Sequence, residues 1–360
     1  MHQKAKRLQD QANAGDAVAE ESQTGWFRIP LLFVLTLIVS SHQLCRAQDV
    51  ALVGSGSTLS ASLYAAWAAE YNKRSAKIQM HYLPLGTNGG IDLISHGHGD
   101  FAAGEVPLSA QERAQKNLVQ LPALLIAIVP IYNVPGVHEL RFTGALLADI
   151  FLGRVKTWNA PAIAKLNPEV SLPNLPINVV YRPPGRGSNY VFTDFLSKAS
   201  PEFRAEIGAS TSPTWPIGVP AERSPDMVEK VAGQAGSIGY VEVQFAVKTR
   251  IPFGSVLNSG GHFVKASGES VAAACQAVEA PEWQKFSASL TDAPGADSYP
   301  ITSFTWLYLR TSADDRRRSA LVNLLSWIMT EGQRMAVQDG YFELPAPLLA
   351  RMRSTIDSLR

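Results

Sequence analysis

Apolar residues recur along this chain at two periods, and the order in which those periods alternate predicts an α/β protein. Residues 49–53 are a short apolar run that reads as a strand. The small-residue loop Gly54-Ser55-Gly56-Ser57-Thr58 follows, and then Leu63, Tyr64, Trp67, Ala68 and Tyr71 fall at helical spacing over residues 60–74. The same order returns twice. Residues 78–83 alternate as a strand, pass through Gly86-Thr87-Asn88-Gly89-Gly90 and enter a helical pattern at Ile91. Residues 177–181 read as a strand that ends at Arg182. The loop Pro183-Pro184-Gly185-Arg186-Gly187-Ser188-Asn189 then leads into a helix over residues 190–196.

The rest of the pattern reads as scaffold. Residues 100–108 give a short strand that carries a carboxylate, Glu105, among small residues. Residues 121–134 are almost wholly apolar with Pro122 and Pro130 inside, a buried strand and crossover. Residues 143–151 form a helix with Leu146, Leu147, Ile150 and Phe151 on one face, and Gly153 closes it. Trp158, in the loop beyond, reads as a packing residue. A short helix over 226–231, a turn and strand over 236–242, a strand over 301–310 and an amphipathic helix over 319–330 complete the reading. No internal repeat occurs at solenoid periods.

Composition narrows the classes. The 360 residues allow about two domains. With 46% hydrophobic and 18% charged residues the chain can build ordinary cores and is not disordered. Residues 29–39 are an apolar run, shorter than the ~20 residues a spanning helix needs. Cys45-Arg46-Ala47 follows, with small residues at the two positions a signal peptidase reads. Residues 1–47 are therefore expected to be a secretory signal cleaved after Ala47; an uncleaved anchor is the other reading. Removing that segment takes five basic residues from 32 and four acidic from 31, which leaves 27 of each sign. A neutral chain has no basic face for nucleic acid. Cys275 would be the one remaining cysteine, so no disulfide framework exists, and its helical surroundings make it a buried small hydrophobe.

The candidate chemistry is anion binding. The first N–H groups of a helix lack partners and carry partial positive charge, and glycine lets that backbone approach an oxyanion closely. Three such helix starts, with hydroxyl and guanidinium donors beside them, suggest a small oxyanion held by hydrogen bonds at the carboxyl ends of strands. His96 and His98 have glycine neighbours and no third ligand nearby, so they read as a solvated loop. No metal or cofactor is expected.

Residues 54–64, 85–91, 100–108, 151–159, 181–196, 215–218, 236–242 and 300–305 resemble the periplasmic phosphate-binding proteins of phosphate ABC transporters, collinearly over 49–350. The resemblance implies a type II periplasmic binding protein fold: two α/β lobes, two crossovers and a ligand cleft that closes by hinge motion. Lobe I would be 48–124 plus 300–360, and lobe II 125–299. The implied function is periplasmic binding of inorganic phosphate for delivery to ABC permease subunits, by a monomer and without catalysis. The family's ligand positions fall on Thr58, Leu59 (through its backbone N–H), Thr87, Glu105, Arg182, Arg186, Gly187 and Ser188.

Three of these positions depart from the family pattern. Its cleft Asp, which accepts the proton of hydrogen phosphate, falls on Glu105. The Asp that neutralises its cleft Arg falls on Pro184, and its loop Ser falls on Arg186. A carboxylate can accept a hydrogen bond from protonated phosphate but not from sulfate. Glu105 keeps that acceptor and reaches one methylene farther. Losing the Asp at Pro184 frees the charge of Arg182. The expected compensation is a pair between Arg186 and Glu105 across the cleft, because an uncompensated buried charge is costly. The alternative is another phosphorylated oxyanion, such as a phosphate ester or pyrophosphate, bound or sensed without a dedicated transporter.

Other classes fit less well. Leu59 stands where a dinucleotide fingerprint needs its third glycine, and no Lys-Ser/Thr pair ends a P-loop. No Gly-x-Ser-x-Gly elbow is present for a serine hydrolase. A secreted phosphatase is the remote enzymatic reading, and turnover of a chromogenic phosphate ester would reveal it.

Overall fold

A computed structural model describes residues 49–75, 77–278, 286–310 and 314–359. The expected leader, residues 1–47, lies outside the described residues. Among those described, no helix is long and apolar enough to cross a membrane.

The strands, in chain order, are β1 Val50–Gly56, β2 Ile78–Leu83, β3 Phe101–Gly104, β4 Leu118–Tyr132, β5 Arg141–Phe142, β6 Asn178–Tyr181, β7 Val219–Pro220, β8 Ser237–Glu242, β9 Ser255–Leu257, β10 Phe263–Val264 and β11 Thr302–Arg310. Eight of them form a sheet in the order β2-β1-β3-β11-β4-β8-β6-β7. β1 lies parallel to β2 and β3, and β6 lies parallel to β7 and β8. Antiparallel β11 and β4 join the two groups.

β4 carries this junction. Its residues up to Ala127 pair with β11, and from Ile128 to Tyr132 it pairs with β8 instead. The strand is buried along nearly its whole length, which explains its apolar run from Leu121 onward. Its prolines sit where a missing N–H is tolerated. The register against β11 slips beside Pro122, which pairs with Trp306 while Leu124 pairs with Thr305.

Two helices begin earlier than the hydrophobic period indicates. They span Thr87–Ser95 and Gly187–Ala199, so residues 87–90 and 187–189 are first helical turns rather than loops, while residues 183–186 remain a loop. Glycine and small polar residues carry no apolar period, so the pattern is silent there. The helix Ala61–Arg74 buries Leu63, Tyr64, Trp67 and Tyr71, the face expected for it. The helix Asp315–Trp327 passes into a π-helical turn, Ile328–Gly332, whose Gly332 carbonyl accepts from Trp67 Nε1 at 2.9 Å.

Trp67, Trp158 and Trp306 are fully buried, and Trp158 Nε1 donates to the Gly236 carbonyl at 3.0 Å. Trp158 is thus the packing residue expected. Cys275 is buried and unpaired, and burial pushes its thiol up to about 12. His96 and His98 are exposed, and no metal-binding cluster occurs among the described residues.

Candidate anion-binding site

Four strand ends deliver the site. β1 runs into Ser57 and Thr58, and β3 into Glu105. β6 runs into Arg182, and β8 ends at Glu242. In open α/β sheets the carboxyl ends of parallel strands are where ligands bind. Three helices start there too: Ala61–Arg74, Thr87–Ser95 and Gly187–Ala199. Their N-cap residues Ser60, Gly86 and Arg186 make no side-chain cap. The helix Gly144–Phe151, away from the site, is capped in the ordinary way, with the Thr143 hydroxyl accepting from Leu146 N. The N-cap side chains therefore take none of the first N–H groups of these helices, although Asn88 N, in the first turn of the helix Thr87–Ser95, reaches the Gly185 carbonyl at 3.5 Å.

Arg182 is 2% exposed, and none of its three guanidinium nitrogens has a hydrogen-bond partner. Burial holds its pKa below the usual arginine value, and the attraction of buried Glu242 opposes that. Ser188 lies in the first turn of the helix Gly187–Ala199, and its hydroxyl is also buried without a partner. The loop between them is fixed by Asn189. Its side-chain nitrogen donates to the carbonyls of Arg182 at 3.2 Å, Pro183 at 2.8 Å and Thr211 at 3.0 Å. Its oxygen accepts from the Tyr240 hydroxyl, which itself accepts from Arg182 N at 3.2 Å.

Glu105 is fully buried. The Ser57 hydroxyl donates to its Oε1, and the Thr87 hydroxyl to its Oε2 at 2.7 Å. Burial raises its carboxyl to about 7 against the pull of these two hydrogen bonds. Its Oε2 faces Gly187 so closely that a Cβ there would lie 1.7 Å away. Gly86, at φ +85°, makes the second tight approach: its Cβ would lie 2.8 Å from the Gly185 carbonyl oxygen. The β1–β3 side and the β6–β8 side thus meet at glycines.

The expected pair of Arg186 with Glu105 does not form. Arg186 Nη2 pairs with Glu222 Oε2 at 3.1 Å, while Glu105 is held by neutral hydroxyls. Arg186 is the N-cap of its helix, and its side chain runs past Gly86 to the rim, whereas Glu105 lies beneath Gly187. Nor is the charge of Arg182 wholly free, since Glu242 attracts it. The resemblance places Leu59 N–H on the ligand, but here it donates to Ser57 Oγ at 3.1 Å. Thr58 and Arg186 line a rim cavity of about 730 Å³ with Glu222, Ser224, Phe245 and Tyr341.

The sequence reading singled out neither Ser57, Asn189, Glu222 nor Glu242. Glu242 could have been found, because it ends a strand as Glu105 does. Ser57 and Glu222 show their roles through partners 48 and 36 positions away, and Asn189 through carbonyls six, seven and 22 positions away.

A family model described as the PBP superfamily domain matches residues 17–331. The phosphate-binding protein PstS of Xylella fastidiosa (strain 9a5c) is 33% identical over 312 residues, 86% of this chain and 85% of that protein. The phosphate-binding protein PstS of Pasteurella multocida is 32% identical over 324 residues, 89% of this chain and 94% of that one. Among solved structures, an ABC-type phosphate transport receptor from Vibrio cholerae superposes with a TM-score of 0.58 at 17% identity, covering 82% of this chain and all of the other. A high affinity periplasmic phosphate-binding protein bound with phosphate superposes with a TM-score of 0.67 at 20% identity, covering 85% and 93%. These structural likenesses show the fold, two α/β lobes about a cleft.

Proposed function

We propose a function from the premise that this chain belongs to the PBP superfamily, in the family of its PstS phosphate-binding relatives: it binds inorganic phosphate in the cleft for delivery to an ABC transporter. The observation that carries this reading is Arg182, a buried guanidinium with no hydrogen-bond partner, beside the unpartnered Ser188 hydroxyl and an uncapped helix start. A buried guanidinium with no hydrogen-bond partner, only partly offset by Glu242, costs several kcal/mol, on the order of what a well-placed anion returns. The ligand set proposed is Thr58, Leu59, Thr87, Glu105, Arg182, Arg186, Gly187 and Ser188, with Leu59 N–H exchanging Ser57 Oγ, and Arg186 exchanging Glu222, for the ligand. Glu105 accepts the proton of hydrogen phosphate, and sulfate offers it none.

The lobes proposed are 48–124 with 300–360, and 125–299; the change of partner along β4 after Ala127 supports a hinge there. The chain works in the periplasm as a monomer, after export on its first 47 residues, and meets a permease. The relatives are named as binding proteins, not enzymes, and no catalytic step is proposed. Calorimetric titration of protein stripped of ligand by unfolding and refolding tests the reading. At pH 8 one phosphate binds per chain and sulfate gives no heat. No heat from phosphate with well-folded protein would overturn it.

A further inference from the structure

A second guanidinium stands close to the first. Arg182 follows β6, and Arg186 is the N-cap of the helix Gly187–Ala199. Arg182 lies inside, buried and without a hydrogen-bond partner. Arg186 runs outward past Gly86, where a Cβ would meet its Nη1 at 3.1 Å, while a Cβ on Gly187 would meet the Thr87 hydroxyl at 2.6 Å. The rim guanidinium and the proposed phosphate seat are therefore neighbours across the helix start at Gly86 and Thr87. Burial holds the pKa of Arg182 down, and the charge of Arg186 adds to that. Two like charges that converge on one cleft favour a ligand with negative charge at two points. The surroundings of Arg186 are half filled. Its Nε is buried without a partner, and its Nη2 pairs with Glu222 Oε2 at 3.1 Å. The Glu222 side chain is 66% exposed and can turn to solvent at little cost. Around the pair opens the rim cavity of about 730 Å³, into which Thr58 and Leu59 continue the seat. Its other charged lining groups are Lys248, Asp339 and Arg223, which Asp226 Oδ1 holds at 3.0 Å. With the lining so nearly balanced, a second anionic group must replace Glu222 rather than join it.

We propose that the cleft also accepts a diphosphate: one phosphoryl group fills the seat at Arg182 and Ser188, and the second displaces Glu222 from Arg186 in the rim cavity. The inference rests on the phosphate reading above. Two phosphoryl groups joined through one oxygen bridge neighbouring guanidiniums, each of which binds such oxygens in a fork. Hydrogen pyrophosphate keeps a proton for Glu105, as hydrogen phosphate does. A lone phosphate must draw Arg186 inward, whereas a diphosphate meets it at the rim. Glu222 is then a placeholder for the second group.

The test is calorimetric titration of the ligand-stripped protein at pH 7.5, free of divalent cations, with phosphate, inorganic pyrophosphate and glycerol 1-phosphate. Pyrophosphate binds one per chain and competes with phosphate. Glycerol 1-phosphate, which offers bulk without a second phosphoryl group, binds at least tenfold more weakly than pyrophosphate. Two variants separate a displaceable ion pair from a structural one. Arg186→Ala weakens pyrophosphate about tenfold more than phosphate, and Glu222→Gln tightens pyrophosphate about threefold more than phosphate. A pair that merely braced the loop would make both variants bind worse. Protein that binds phosphate but not pyrophosphate overturns the inference and leaves the phosphate reading standing. Pyrophosphate binding that weakens in Glu222→Gln, or that falls no further than phosphate binding in Arg186→Ala, overturns the assignment of the second group. Equal binding of glycerol 1-phosphate means that the cavity selects bulk rather than charge, and overturns it too. Protein that fails to bind phosphate overturns the reading, and the inference with it. Should Arg186→Ala fail to fold, the sign of the change in Glu222→Gln decides.

Discussion

Burial works on Glu105 and Arg182 in the same way and with opposite results. Each is destabilised as an ion, so the acid is pushed up and the guanidinium down. Hydroxyl donors relieve only part of the cost at Glu105. Its carboxyl stands near 7 in the folded chain against an ordinary value of 4.5, so between these values the folded form holds more protons than the unfolded one. The stabilisation is complete below about 4.5 and is lost as pH rises through 7, a change on the order of 3 kcal/mol. Urea midpoints at pH 5 and pH 8 measure it. Wild type should lose stability over that interval by more than Glu105→Gln does, and parallel curves would count against a titrating Glu105.

At the scale of elements, strand ends and helix starts do the positioning. The helix Gly187–Ala199 is presented by the Asn189 side chain, which gathers the Arg182, Pro183 and Thr211 carbonyls. Asn189→Ala would leave these carbonyls without that donor and release the Tyr240 hydroxyl. The expected cost is about 2–3 kcal/mol in urea unfolding, with phosphate binding weakened at least tenfold. A variant that loses stability and keeps full affinity would show that the loop needs no anchor. Much of this architecture is legible in the chain. Glu105 and Arg182 each follow an apolar run, and the helix Ala61–Arg74 shows a clean apolar face. The first turns at Thr87 and Gly187 are not legible, because small residues carry no period. Nor is the true partner of Arg186: Glu222 lies 36 positions away, and nothing local distinguishes it from other exposed acids. Glu105 drew the expected pair in its place because opposite charge alone, without direction, is what a sequence shows.

For the molecule as a whole, β4 and β11 tie the two strand groups into one sheet. The strand ends carrying Ser57 and Glu105 face those carrying Arg182 and Glu242. Contacts such as Gly187 over Glu105 and Gly86 against Gly185 bring the two sides together at backbone distance, which suits a small ligand enclosed between them. Ligand that binds only the folded, closed form raises its melting temperature by mass action. In the proposed function the buried Arg182 guanidinium holds the oxyanion. The direct measurement is the thermal melt of wild type and Arg182→Met at pH 8, each with and without millimolar phosphate. Phosphate should raise the melting temperature of wild type by several degrees and leave that of Arg182→Met unmoved. An equal rise in both proteins would contradict it.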